Sequence, residues 1–174
     1  SFTNMKRDDV NVAFIDVPGH EKLVKNMISG AFGFDASLFA IDAREGIMPQ
    51  TVEHLEVLNI LKVKNIIVAL TKSDLADSET LEKRKEEIRK LISNFPNLHL
   101  MEIFTTSIYD KESIEKLKNY LFNLPPRNIT HSKFFRYYID RVFSLKGIGT
   151  VVTGTVLSGK VKLKDNIYIN ETKT

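Results

Sequence analysis

The stretch Ile66-Ile67-Val68-Ala69-Leu70-Thr71-Lys72-Ser73-Asp74 decides the fold. It opens on apolar residues rich in β-branched side chains, which suit the pleated surface of a strand. A polar turn follows at once and ends on a carboxylate. The segments on either side repeat this scheme. Ser37–Ile41 reads as a strand, and Thr51, Leu55, Leu58 and Leu61 mark the helix that leads to Ile66. Downstream, Leu81, Ile88, Leu91, Ile92 and Phe95 line a longer helix. Its outer face offers Glu79 to Lys83 and Glu86 to Lys90, one turn apart. Met101–Thr105 is the next strand and Ile114–Leu121 the last helix. Toward the start, Val12–Ile15 pairs with Phe2–Met5 across a turn at Lys6–Asp9, and Leu23, Val24, Met27, Ile28 and Ala31 form one helix face. Strand and helix alternating every ~30 residues predict βαβ units around a parallel sheet.

Pro125-Pro126 ends that pattern, because proline cannot continue a helix. Beyond it Phe134–Phe143, Thr150–Leu157 and Asn166–Ile169 read as strands. Gly147-Ile148-Gly149, Ser158-Gly159 and Asp165-Asn166 read as turns. The expected organisation is an α/β domain over 1–124, a linker over 125–133, and the first strands of an all-β domain over 134–174. Three strands are too few to close a barrel, so the chain is expected to stop inside its second domain.

The 174 residues are 43% hydrophobic and 27% charged, which excludes collagen, coiled coil and a largely disordered chain. With no cysteine there is no disulfide, thiolate metal site or cysteine nucleophile. No apolar run approaches the ~18 residues of a membrane helix, and the first residues lack a signal peptide's apolar centre. A soluble, cytoplasmic protein is expected. The charge is uneven: residues 1–126 carry 16 Lys/Arg against 19 Asp/Glu, residues 127–174 carry 9 against 3. Only the second part has a bias that attracts a polyanion, though a solvated surface accounts for it equally well.

Three short motifs carry the chemistry. Asp16-Val17-Pro18-Gly19-His20 follows a strand and opens a loop before a helix. Ligands of open α/β sheets sit at such strand ends. Asp16 can hold Mg²⁺ through a water, since that ion keeps most of its hydration. Gly19 presents an unobstructed amide to a γ-phosphate, and His20 can orient an attacking water. Alone, this is also a common turn. Thr71-Lys72-Ser73-Asp74 ends the next but one strand. The Asp74 carboxylate can accept both the N1–H and the 2-amino hydrogens of guanine, a pair adenine lacks. The Lys72 stem can lie on the flat face of the base. Thr105-Thr106-Ser107-Ile108-Tyr109 ends the following strand, where backbone amides at Ser107 and Ile108 can donate to guanine O6. Each motif is weak by itself. Their order and their shared place at strand ends make the case. His54, His99 and His131 have no partners at metal-ligand spacing.

The run from Asp16-Val17-Pro18-Gly19-His20-Glu21-Lys22 to Lys25-Asn26-Met27 resembles the switch II region of translational GTPases. Met48-Pro49-Gln50-Thr51 with Glu53-His54 is similar to the start of their next helix. Ile139-Asp140-Arg141-Val142-Phe143, followed by Gly147-Ile148-Gly149-Thr150-Val151-Val152-Thr153-Gly154-Thr155-Val156, is similar to the opening of their second, β-barrel domain. The resemblance covers the whole chain. It implies a P-loop-type GTPase domain truncated at its N-terminus, then the start of a translation-factor barrel. The selenocysteine-specific branch (SelB type) fits best. Thr71 stands where most relatives have Asn, and Arg141 stands where elongation factor Tu has an acid. Selenocysteine is an anion at neutral pH, which a permanent cation suits. Asp140 and Arg141 are therefore expected in an aminoacyl pocket, against the plainer reading of a surface ion pair.

The departures from the family matter as much. No G-x-x-x-x-G-K-[ST] loop occurs, and the switch I threonine is absent. Both belong upstream, so the chain reads as a fragment. Ile108 replaces the family's usual Ala, and Lys111-Glu112-Ser113 replaces a Gly-x-Gly turn. For the complete factor the resemblance implies GTP/GDP and Mg²⁺ as cofactors. It implies hydrolysis by water that His20 places. Its implied partners are selenocysteinyl-tRNA, the ribosome at a recoded UGA, and a selenocysteine-insertion mRNA element read by other domains. Two alternatives stand beside it: a non-catalytic scaffold fragment, or a general aminoacyl-tRNA carrier of the same superfamily.

Overall fold

A computed structural model describes residues 2–16, 35–125 and 134–169, apart from the side chains of Phe2, Asp140 and Thr155. The helix expected around Leu23–Ala31 lies outside the described residues. The chain divides into two compact units, Ser1–Pro126 and Arg127–Thr174.

In the first unit, β1 (Phe2–Arg7) and β2 (Val10–Ile15) form an antiparallel hairpin. Phe2 faces Ile15 and Met5 faces Val12, the two strands paired as read from the sequence, but Lys6 and Arg7 extend the ladder and the turn shrinks to Asp8-Asp9. Three further strands, β3 (Ser37–Asp42), β4 (Asn65–Thr71) and β5 (His99–Thr105), make a parallel sheet in the order β3-β4-β5. The helices are α1 (Pro49–Ile60), α2 (Ser78–Ser93) and α3 (Lys111–Phe122).

The central strand explains its own sequence. Successive side chains of β4 point to opposite faces, and both faces are covered. Ile66, Val68 and Leu70 pack with Leu55 and Leu58 of α1 and with Ile88 and Ile92 of α2. Ile67 and Ala69 pack with Leu117 and Leu121 of α3, and with Met5 and Phe14 of the hairpin. A strand buried on both sides cannot alternate with polar residues, hence the unbroken apolar run. Each fully buried Ile or Leu contributes about 1.5–3 kcal/mol of transfer free energy.

Helix starts are fixed locally. Pro49 occupies the first turn of α1, where its missing N–H costs nothing, and Met48 N–H donates to Thr51 Oγ1 at 3.0 Å. Asp77 accepts from Thr80 N–H at 2.7 Å and Asp110 from Glu112 N–H at 3.0 Å. The Asp77 carboxyl is held below its usual range by the Thr80 backbone N–H. The outer face of α2 differs from expectation. Its ion pairs join Lys85 to Glu82 and Arg84 to Glu87, three residues apart, and not Glu79 to Lys83 or Glu86 to Lys90. Exposed pairs are worth little, so neighbouring contacts decide among nearly equal partners.

In the second unit, β6 (Arg136–Leu145) and β7 (Gly149–Ser158) form an antiparallel ribbon. Gly147 and Gly149 at its turn have φ of 85° and 101°, which glycine adopts without a Cβ clash. Ile139 faces Gly154 and Arg141 faces Thr153, so Asp140 is an extra, bulged residue. A Cβ on Gly154 would fall 1.8 Å from the Tyr138 carbonyl oxygen, and only glycine fits there. The strand expected at Asn166–Ile169 does not form. Ile167, Tyr168 and Ile169 are exposed, and no strand among the described residues pairs with them. Apolar alternation alone makes no strand without a hydrogen-bonding neighbour.

Candidate functional site

Because β3, β4 and β5 are parallel, their carboxyl ends, Asp42, Thr71 and Thr105, emerge at one edge of the sheet. The turns that follow are tied together there. Thr106 N–H donates to the Leu70 carbonyl at 2.8 Å, and Ser73 N–H donates to the Thr106 carbonyl at 3.2 Å. The Thr71 hydroxyl donates to the Ile41 carbonyl at 3.1 Å, linking β4 to β3. Thr71 thus serves the frame of the turn.

Asp74 sits in the short 3₁₀ turn Ser73–Leu75 and is exposed. Its carboxylate accepts the hydroxyl hydrogen of Ser107. Ser107 is buried, and its surroundings leave that hydrogen one direction. Its N–H donates to Ser113 Oγ at 3.2 Å, and Ser113 Oγ donates to the Asp110 carbonyl at 2.7 Å. Tyr109 N–H donates to Ser107 Oγ at 3.1 Å. The oxygen of Ser107 is therefore an acceptor from Tyr109 and a donor to Asp74. This chain orients one carboxylate oxygen and leaves acceptor capacity on an exposed group. Two motifs 33 residues apart in sequence thus converge.

The Ser107 amide is engaged with Ser113, whereas among the described residues Ile108 N–H has no acceptor. Ile108 is 82% exposed. Of the two amides singled out from the sequence, Ile108 alone is left to meet a carbonyl. The Ile108 N–H and the exposed carboxylate together fit a planar base presenting adjacent donors and an acceptor. An open cleft of about 200 Å³ near the end of β5 is lined by Ser73, Thr105, Asp110, Ser113 and Lys116 among others. Neither Asp74 nor Lys72 lines it, so the carboxylate stands on open surface.

Lys72 has φ 54° and ψ 37°, a left-handed conformation. Its Nζ lies 2.7 Å from Asp42 Oδ2, and Arg44 Nη2 lies 3.2 Å from the same oxygen. Hydrogen bonds from Lys72 first and Arg44 second hold the Asp42 carboxyl far below the usual carboxylate range. Asp42 was not singled out from the sequence. A carboxylate closing an apolar strand, level with Thr71, was the available signal. Arg84 was missed because its contacts to Ala43 and Arg44 span about 40 residues of chain.

Asp16 directly follows β2 and is exposed. Gly19 and His20 lie outside the described residues. Among the described residues no three His, Cys, Asp or Glu side chains gather as a metal cage. A donor set of one strand-end carboxylate fits a cation that keeps its water, as Mg²⁺ does. On the ribbon, Arg141 is exposed and stands opposite Thr153, just past the bulge. Among the described residues no helix is long and apolar enough to cross a membrane.

Comparison with known proteins fits this geometry. The family described as the elongation factor Tu GTP binding domain matches residues 1–127. The selenocysteine-specific elongation factor of Desulfomicrobium baculatum is 44% identical over 92% of this chain and 26% of its own length. That of Haemophilus influenzae is 44% identical over 91% of this chain and 25% of its own. The chain thus spans about a quarter of these curated relatives. The crystal structure of translation elongation factor SelB from Methanococcus maripaludis, in complex with the GTP analogue GppNHp, superposes with a TM-score of 0.76. It is 31% identical, over 95% of this chain and 37% of that one.

Proposed function

Because the chain belongs to the family of translation factors that carry an elongation factor Tu-type GTP-binding domain, we propose that its sheet edge reads guanine for a selenocysteine-specific elongation factor. The observation that carries this reading is the Ser107 hydroxyl aimed at the Asp74 carboxylate across the ends of β4 and β5. Asp74 accepts the N1–H and 2-amino hydrogens of the base, Ile108 N–H donates to O6, and the Lys72 stem covers one face. Thr71 and Ser107 hold these groups in place.

In the complete factor, Asp16 would be the strand-end carboxylate that holds a hydrated Mg²⁺, which would supply positive charge against the phosphates. Gly19 N–H meets the γ-phosphate, and His20 places the water that attacks it. Order gained by switch segments on the γ-phosphate is a known way to create a binding surface. The ribbon of β6 and β7 opens a second, barrel-type domain beyond a linker over 125–133. There Arg141, oriented by Asp140, faces the anionic side chain of selenocysteinyl-tRNA. The complete factor delivers that tRNA to the ribosome at a recoded UGA in the cytoplasm, with the mRNA element read by other domains. The basic balance of residues 127–174 suits a surface that meets RNA.

The test is calorimetric titration of this chain with GDP, ADP and xanthosine diphosphate, before and after Asp74→Asn. Asparagine replaces an acceptor by a donor, which opposes the 2-amino group of guanine and fits the 2-carbonyl of xanthine. GDP should bind in preference to ADP, and Asp74→Asn should weaken GDP by about 10²- to 10⁴-fold while strengthening the xanthine nucleotide. Equal binding of GDP and ADP, or an unchanged preference in the variant, would refute the assignment.

A further inference from the structure

Asp42 lies outside every motif so far given a role, yet it is the most heavily engaged carboxylate at this edge of the sheet. Its register places it beside Thr71, and Ala43 N–H donates to the Thr71 carbonyl at 2.9 Å. The chain of β4 then turns through Lys72 in the left-handed region, where a lysine rests only if its surroundings hold it. Asp42 Oδ2 receives the Lys72 ammonium at 2.7 Å. Asp42 is itself fixed: Arg44 N–H donates to Oδ1 at 2.9 Å, and Arg44 Nη2 to Oδ2 at 3.2 Å.

A second layer holds the loop that carries Asp42. Arg84 of α2 donates to the carbonyls of Ala43 at 3.3 Å and Arg44 at 3.2 Å. Its guanidinium fills the space a side chain at Gly46 would take, 2.6 Å from a Cβ built there. Gly46 also has φ +72°, so the loop has this shape only with glycine. The Asp42 side chain is 11% exposed while that of Lys72 is 55% exposed. The anchor is sheltered from solvent screening, and the lysine stem is open to a ligand.

We propose that Asp42 is a positioning residue for guanine binding, holding the Lys72 ammonium so that the lysine stem is presented ready-made as a platform for the base. Arg84 and Gly46 form the rigid backing of that anchor. This rests on the guanine reading of Asp74 and deepens it. A preset platform has less side-chain freedom to lose when the base arrives, and that saving appears as affinity.

The experiment titrates GDP into the 174-residue chain and follows backbone amide hydrogen exchange in the same samples. Asp42→Asn keeps the shape and removes the charge. It should weaken GDP roughly three- to tenfold, the scale of one partly screened charged hydrogen bond. Asp42→Glu should restore most of the loss. In a Lys72→Ala background Asp42→Asn should add nothing, since both changes remove the same contact. A merely structural role for Asp42 would instead add its full cost there. The amides of Ser73 and Leu75, which donate to the carbonyls of Thr106 and Lys72, should exchange faster in Asp42→Asn. If the unsubstituted chain binds GDP and Asp42→Asn binds it equally, the positioning role is wrong and the guanine reading stands. If the unsubstituted chain does not prefer GDP to ADP, the guanine reading fails and takes the positioning role with it. Unchanged exchange at Ser73 and Leu75 overturns the tether by itself.

Discussion

Ser107 shows how much one buried hydroxyl can determine. Its oxygen takes a hydrogen from Tyr109 N–H, so its own hydrogen goes to Asp74. The carboxylate then keeps one orientation in the absence of ligand. Ser107→Ala removes that restraint and leaves Tyr109 N–H without its acceptor. We expect GDP affinity to fall roughly fivefold, about 1 kcal/mol, with a calorimetric titration as the check. Thr71 acts on the frame: its hydroxyl donates to the Ile41 carbonyl and ties β4 to β3.

At the scale of elements, strand ends were the legible features, whereas the caps Asp77 and Asp110 that start the later helices were not read. The apolar, β-branched run of β4 read as a strand of a parallel sheet, and two packing clusters cover its two faces. The hairpin register of Phe2 against Ile15 was readable because both strands and a short turn lie within one stretch. Asn166–Ile169 misled, since its apolar residues say nothing about whether a partner strand is in reach. The surface pairs of α2 were also misread, because spacing permits several partners and Arg84 is drawn to the loop at Ala43. Asp42 stayed invisible for a related reason: beside its local partner Arg44, it holds Lys72, 30 residues on and just past the next strand. The cap of α3 is a local device and supports a local forecast. Asp110 accepts from both Glu112 and Ser113 N–H, and Ser113 in turn backs Ser107. Asp110→Ala should cost about 1 kcal/mol in urea unfolding and should loosen the Ser107 turn as well.

Across the whole molecule, burial is unequal. Every fully buried apolar side chain among the described residues belongs to the first unit. The ribbon of β6 and β7 keeps Val142, Phe143, Leu145 and Val152 exposed. Two-stranded sheets are marginal in water. Hydrogen exchange should therefore show slow amides along β4 and fast ones along β6 and β7 in the isolated chain. Uniform protection in both units would contradict this ordering. Gly154 adds a consequence of another kind. The Tyr138 carbonyl occupies the place of any side chain at 154, whatever the ribbon binds. In a survey of tolerated substitutions the position would look as intolerant as a ligand-contacting one. Its intolerance reports the crowding of two backbones beside a bulge, so genetic sensitivity at 154 is a measure of architecture and carries no information about recognition.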